Sequence, residues 1–280
     1  MSEPLVESVA AQSCPGLRAL VTGYTGYRIE GAAPGVHRGL PSRHLTFIIT
    51  VNGTVDLATM PDPRQAPASF GAMVGGLHSA PALIRHDGNQ HGIQAALTPL
   101  GARTLLGMPA SELATAVVDL ATLLGTAAGE LADRVRSAYT WTGRFLALDA
   151  VLARVARDRG EPDPEVGWAW ERLHASHGAI GIGALAEEVG WSRRHLGERF
   201  RREYGLTPKV AARVMRFEVA RELLRPPDRP PLAEVAARCG YYDQAHFTRE
   251  WRDLAGCSPR TWFAEELPSV QDTDPLDLAS

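Results

Sequence analysis

The spacing of apolar positions changes character twice along the chain. Between residues 17 and 100 the apolar residues come in short alternating or β-branched runs with turn residues between them. These runs are LRALVTGYTGYRI, HLTFIITVNGTVDLA, and the pair APALIRH and GIQAALT around DGNQ. Period-two alternation bounded by turn residues predicts strands. From Arg103 to about Arg159 the texture turns to Ala and Leu at helical spacing, in SELATAVVDLATLLG, TAAGELADRVRSAY and WTGRFLALDAVLARVARD, and predicts helices. RGEPDPEV, residues 159–166, is polar with two prolines and reads as a linker. Everything after it reads helical as far as Glu266, and the acidic tail LPSVQDTDPLDLAS reads as loose. The division predicted is 1–160, a β-rich domain with trailing helices; 161–266, an all-α domain; and 267–280, a flexible tail. The fold class is therefore α+β, the first domain being compatible with a small, cupin-like barrel.

The helical half contains an internal repeat. LAEEVGWSRRHLGERFRREYGLTP (185–208) and VAARCGYYDQAHFTREWRDLAGCSP (235–259) are two copies of one unit. Leu185, Ala186, Val189, Gly190 and Trp191 match Val235, Ala236, Cys239, Gly240 and Tyr241 at an offset of 50. Leu196, Phe200, Gly205 and Pro208 match Phe247, Trp251, Gly256 and Pro259 at an offset of 51, so one residue has been inserted in the turn. Gly190 and Gly240 sit where a first helix stops and the chain reverses, a position that favours positive φ. Ser192 and Asp243 then predict N-caps for the second helices. The residues before them, Trp191 and Tyr242, are placed to staple onto Leu196 and Phe247. Two helices joined by a short glycine-containing turn make a helix-turn-helix. Between the copies KVAARVMRFEVARELL has no Gly or Pro and predicts one connecting helix.

At about 100° per residue, Leu196, Phe200 and Glu203 face the core while Arg194, Gly197, Glu198 and Arg201 face away. The outward set of the second copy is Ala245, Thr248, Arg249 and Arg252, with Gln244 and His246 at the helix start. An exposed helix of this kind places its N-terminal residues in the major groove of DNA. There Arg forks onto guanine, Gln onto adenine, and Thr touches the thymine methyl. A charge run is by default only a solvated face. The duplication weighs against that default, because solubility does not explain small and polar residues on matching outward faces. Net charge gives no help, since the chain carries −3 and residues 165–266 hold 16 Lys and Arg against 15 Asp and Glu. Anion binding must come from local placement, and Lys209 is the single lysine among 29 basic residues.

These residues resemble the DNA-binding domain of the AraC/XylS family of bacterial transcription regulators, over roughly Val166 to Phe263. The most specific part is GYYDQAHFTREWRDLAGCSPRTWF, with its Gly-aromatic turn, His-Phe step and Gly-x-Ser-Pro; RFEVARELL fits the family's connecting helix. The resemblance implies base-facing roles for Arg193, Arg194 and Gly197 in the first unit and for Gln244, His246, Thr248 and Arg249 in the second. Arg201 and Arg252 lie on the same outward faces. Gly197 places no side chain where many members present one, and costs roughly 1 kcal/mol of helix propensity; Glu198 puts a carboxylate beside it, within i, i+3 reach of Arg201. The family further implies double-stranded DNA as partner, a small-molecule effector or a dimer contact on the first domain, a homodimer, and RNA polymerase as partner of an activator, while a cytoplasmic location is expected from the lack of a secretory signal or a bilayer-spanning run.

The first half brings less chemistry. His37, His44, His78, His86 and His91 fall there, and imidazoles on a barrel are the raw material of a metal site. No His-x-His pair occurs, and Cys14, Cys239 and Cys257 share no close spacing. No nucleophile elbow, phosphate loop or paired-carboxylate motif is present, so no catalytic residue, metal or cofactor is expected. The N-terminus has no apolar run of the secretory type and LTFIITV is too short to span a bilayer, so no membrane is expected. Two alternatives stay open on the residues alone: a metal-dependent cupin-like enzyme with an accessory helical domain, and a DNA binder whose first domain only dimerises.

Overall fold

The computed structural model describes residues 4–158, 160, 162–226 and 228–265; the tail expected at 267–280 lies outside them. Among the described residues ten strands build two antiparallel sheets. The larger runs in the order β1 (Leu5–Ala11), β2 (Val21–Glu30), β9 (Gln90–Leu97), β4 (Leu45–Asn52), β7 (Ala72–Gly75), β10 (Val117–Asp119). The smaller runs β3 (Gly35–Gly39), β8 (Ala82–His86), β5 (Val55–Thr59), β6 (Ala68–Phe70). The run LTFIITV is nearly unbroken in apolar residues because β4 is covered on both faces. Leu45, Phe47, Ile49 and Val51 join the core beneath the helices, while Ile48 points between the sheets with Leu57, Met73 and Ile84.

The runs on either side of DGNQ are strands, as expected, and lie in different sheets: β8 pairs with β3 and β5, and β9 with β2 and β4. One expectation changes. SELATAVVDLATLLG is not one helix. It holds a 3₁₀ turn at Ala110–Leu113, then β10, and only then the short helix α2 (Leu120–Leu124). Val117 and Val118 are captured by β7, with Val118 opposite Val74, because a β-branched pair at a sheet edge outweighs local helix texture. Between β9 and that turn, the single turn α1 (Pro99–Gly101) runs into a π-helical turn, Ala102–Leu106.

The helices α3 (Thr126–Ser137) and α4 (Trp141–Val155) lie on the outer face of the larger sheet, with Leu131, Val135, Phe145 and Leu148 buried against Tyr24, Phe47 and Ile93. The expected linker ends early, because Pro164 takes the first position of α5 (Pro164–Ala175), where its missing N–H costs nothing. Then come α6 (Ile182–Glu188), α7 (Arg193–Tyr204), α8 (Pro208–Leu224), α9 (Leu232–Arg238), α10 (Gln244–Ala255) and α11 (Pro259–Glu265). α8 is the connecting helix and serves two cores. Ala211, Ala212 and Met215 pack with α5, α6 and α7, and this cluster is continuous with the core under the sheet. Val214, Phe217, Ala220 and Leu224 pack with α9, α10 and α11, where Phe247, Trp251 and Trp262 are buried.

Candidate nucleic-acid interface

Both units start their second helix as the sequence requires. Gly190 and Gly240 turn the chain at φ +72° and +71°. The Ser192 hydroxyl accepts from His195 N at 3.2 Å, and Asp243 Oδ1 accepts from His246 N at 2.7 Å. Each helix ends at a left-handed glycine, Gly205 or Gly256. The staple expected of Tyr242 is made by its neighbour. Tyr241 is buried with its ring 5.2 Å from Phe247, whereas Tyr242 is 92% exposed. The inserted residue lengthens the turn, so the first tyrosine swings inward and the second out. Trp191 sits edge-on to His195 at 4.6 Å.

The carboxylates of α7 and α10 are all engaged. Glu198 pairs with Arg194 at 2.8 Å, not with Arg201, the i, i+4 partner winning over the i, i+3 one. Arg194 correspondingly holds the Glu198 carboxyl below its usual range. Glu203, on the inward face as expected, takes a two-pronged contact from Arg103 at 2.6 and 2.5 Å. On α10, Glu250 and Asp253 both turn to Arg213 of α8, at 2.8 and 3.1 Å. What remains on the outward faces is cationic. Arg201, Arg249 and Arg252 are exposed and make no ion pair among the described residues.

The other expected site residues divide by environment. Gln244 is exposed, and Thr248 is half-buried beside Arg249. His246 is half-buried, accepts from Tyr242 N through Nδ1 at 3.3 Å and sets Nε2 3.7 Å from Glu250. Gly197 opens onto empty space, since a β-carbon built there meets nothing within 4 Å. Arg193 lies back along α6, where a β-carbon on Gly183 would come 2.5 Å from its guanidinium. Gly183 is thus the space Arg193 needs.

Sequence reasoning did not find a cavity of about 80 Å³ between the two sheets. His37, His78, Met73, Ile84 and Gln94 line it, and Glu218 and Arg221 of α8 reach its wall. Glu218 is 4% exposed and accepts from the Ser42 hydroxyl at 2.9 Å and from Arg43 N at 3.2 Å. Burial pushes the His78 imidazole down to about 4. A glutamate and an arginine inside a helix carry no local signal that they meet a barrel. Among the described residues no group of three His, Cys, Asp or Glu is close enough to hold a metal, and no helix is long and apolar enough to cross a membrane.

A family model described as a helix-turn-helix domain matches residues 185–265. The HTH-type transcriptional activator RhaS of Salmonella arizonae is 38% identical over 120 residues, 41% of this chain and 42% of that protein. RhaS of Salmonella newport is 38% identical over 77 residues, 28% of this chain and 27% of that one. The chain thus spans less than half the length of these curated relatives. Fatty-acid-bound ToxT of Vibrio cholerae shares the fold end to end, a β-rich domain followed by a helical one. Its TM-score is 0.51 at 9% identity, covering 96% of this chain and 99% of that one. With two such units on one connecting helix, residues 185–265 are an AraC-type helix-turn-helix domain.

Proposed function

We propose that this protein is a sequence-specific DNA-binding regulator of transcription, with α7 and α10 each entering a major groove. One observation carries the reading: the carboxylates of both helices are neutralised within the protein, and the outward faces keep Arg201, Arg249 and Arg252. A domain of nearly zero net charge can bind a polyanion only if its cations are sorted in this way. In this proposal Gln244, His246, Thr248 and Arg249 read bases, Arg194 does so on leaving Glu198, the open position at Gly197 faces the bases without a side chain, and Arg201 and Arg252 hold phosphates. Arg193, laid along α6, reads a base only if it swings out. The division into a sensing or dimerising domain, 1–160, and a DNA-binding domain, 161–266, belongs to the same reading.

The finer part is control by a small molecule in the cavity between the sheets. Its support is the wall that Glu218 and Arg221 supply, because α8 also carries both helix-turn-helix units. A homodimer is favoured by the exposed Tyr139 and Leu146 beside and on α4, at 99% and 62%. RNA polymerase is the further partner if the protein activates. The test is selection of duplexes from a random pool with full-length protein, followed by titration at two salt concentrations. Enrichment of one sequence, with affinity falling steeply as salt rises, supports the reading. No salt-sensitive binding to any enriched duplex refutes it. A melting-temperature rise with a small-molecule library, lost on Glu218→Gln, tests the effector part.

A further inference from the structure

Tyr242 is the odd residue of the duplication. The units differ by one residue in the turn; Trp191 matches Tyr241 and Ser192 matches Asp243, so Tyr242 has no counterpart. Its backbone is pinned, because its N–H donates to His246 Nδ1 at 3.3 Å and the next side chain caps α10. Its ring is nonetheless 92% exposed. A phenol held in water from a fixed backbone buries no apolar surface, and the fold gains nothing from it.

We infer that Tyr242 is a DNA contact, its ring laid against a deoxyribose and its hydroxyl donating to a phosphate at the edge of the groove that α10 enters. The inference rests on the proposed function. Asp243 is the cap, and Gln244 and Ala245 are the exposed first residues of the helix. When those two reach base edges, the residue before the cap stands over the strand that borders the groove. There Tyr and helix N-termini commonly hold phosphates. A protein partner fits less well. The other exposed large apolar residues among those described, Leu5, Val36, Tyr139 and Trp168 among them, all lie outside α9 and α10, so neither helix adds a second such side chain beside the ring. The exposed face of α10 that follows it carries Gln244, Arg249 and Arg252.

The experiment titrates full-length wild type, Tyr242→Phe, Tyr242→Ala and Arg249→Ala against the selected duplex and a scrambled one. Tyr242→Phe should bind both duplexes about tenfold more weakly, since a hydrogen bond to a charged group is lost, and Tyr242→Ala at least as weakly. The salt slope should stay at the wild-type value, because a neutral donor displaces no counterion. Melting temperatures should not move. Wild-type affinity in Tyr242→Ala, with Arg249→Ala weakened, overturns the inference and leaves the proposed function standing. A loss confined to the selected duplex overturns the phosphate contact in favour of base reading. Absence of binding by wild type itself defeats the proposed function, and this inference with it.

Discussion

Glu203→Leu should destabilise the whole chain, and the loss should be largely recovered by a second substitution 100 residues upstream. Arg103, on the π-helical turn, donates Nε to Glu203 Oε1 at 2.6 Å and Nη2 to Oε2 at 2.5 Å. The side chains are 23% and 10% exposed, so the pair is mostly out of water. The hydrogen bond that Arg103 donates to Glu203 raises the Arg103 pKa, the expected mark of a fork that favours its charged form. Removing one partner of a fully buried pair costs about 3–5 kcal/mol, because the other charge is left without an answer. Water reaches about a quarter of the Arg103 side chain, which brings the expectation for Glu203→Leu to about 2–3 kcal/mol. Arg103→Met with Glu203→Leu removes both charges and should cost at least about 1.5 kcal/mol less than the two singles added together. The assay is a double-mutant cycle in urea, read by far-ultraviolet circular dichroism and by tryptophan emission, since Trp170 packs against Tyr204 in the same region. Additivity within about 0.5 kcal/mol would refute the claim that this fork joins the β-rich part to α7.

Arg249→Ala should cost about 1–3 kcal/mol on the selected duplex and relax preference at one base pair, whereas Arg201→Ala should weaken all duplexes alike and lower the salt slope by about one. Equal losses for Arg249→Ala on selected and scrambled duplexes would defeat its base-reading role. Gly197→Ala should stabilise the protein by about 0.5–1 kcal/mol, because the new methyl meets open space and the helix gains propensity; a lower urea midpoint would contradict the open space. His78 has its folded pKa depressed to about 4 against an unfolded value of 6.5. The unfolded chain therefore binds the extra proton first, and stability falls as pH drops from 6.5 toward 4. The loss reaches at most about 3 kcal/mol. His78→Gln should flatten that stretch of a stability–pH curve, and an unchanged curve would show that His78 is not the group titrating.

Local rules made the helix-turn-helix units legible. A glycine with positive φ, a hydroxyl or carboxylate cap and apolar residues four apart each act within one turn of helix, so residues 185–208 and 235–259 could be read off. The β-rich part was harder because its decisions are long-range. β1 has half-exposed residues and little pattern, and exists because β2 offers its edge from Tyr24 to Glu30. Val117–Asp119 sits in an Ala and Leu run that reads as helix, and is a strand only because β7 is free to pair with it. APALIRH and GIQAALT both read as strands, and nothing in either run shows that they belong to different sheets. No local pattern separates those outcomes.

The same division runs through the candidate site. The inward turn of Glu203 was visible from helical phase, but its partner Arg103 was not, since nothing near Arg103 marks it as facing α7. Between Tyr241 and Tyr242 only the turn geometry decides which goes inward. Five contacts that sequence could not supply share one placement. Arg103 meets Glu203, the Ser111 hydroxyl donates to the Arg202 carbonyl at 2.7 Å, and a β-carbon on Gly205 would fall 2.2 Å from Ala114. On the second unit Pro81 abuts Gly256, and Arg38 pairs with Glu265 at 2.8 Å. Each touches a unit at or beyond the C-terminal end of α7 or α10. The capped ends, Ser192 and Asp243, are left exposed. A β-rich domain docked this way can hold the two helices in a fixed relation while their N-termini stay accessible, and a change in the wall that α8 gives the cavity would act on that relation without blocking either N-terminus.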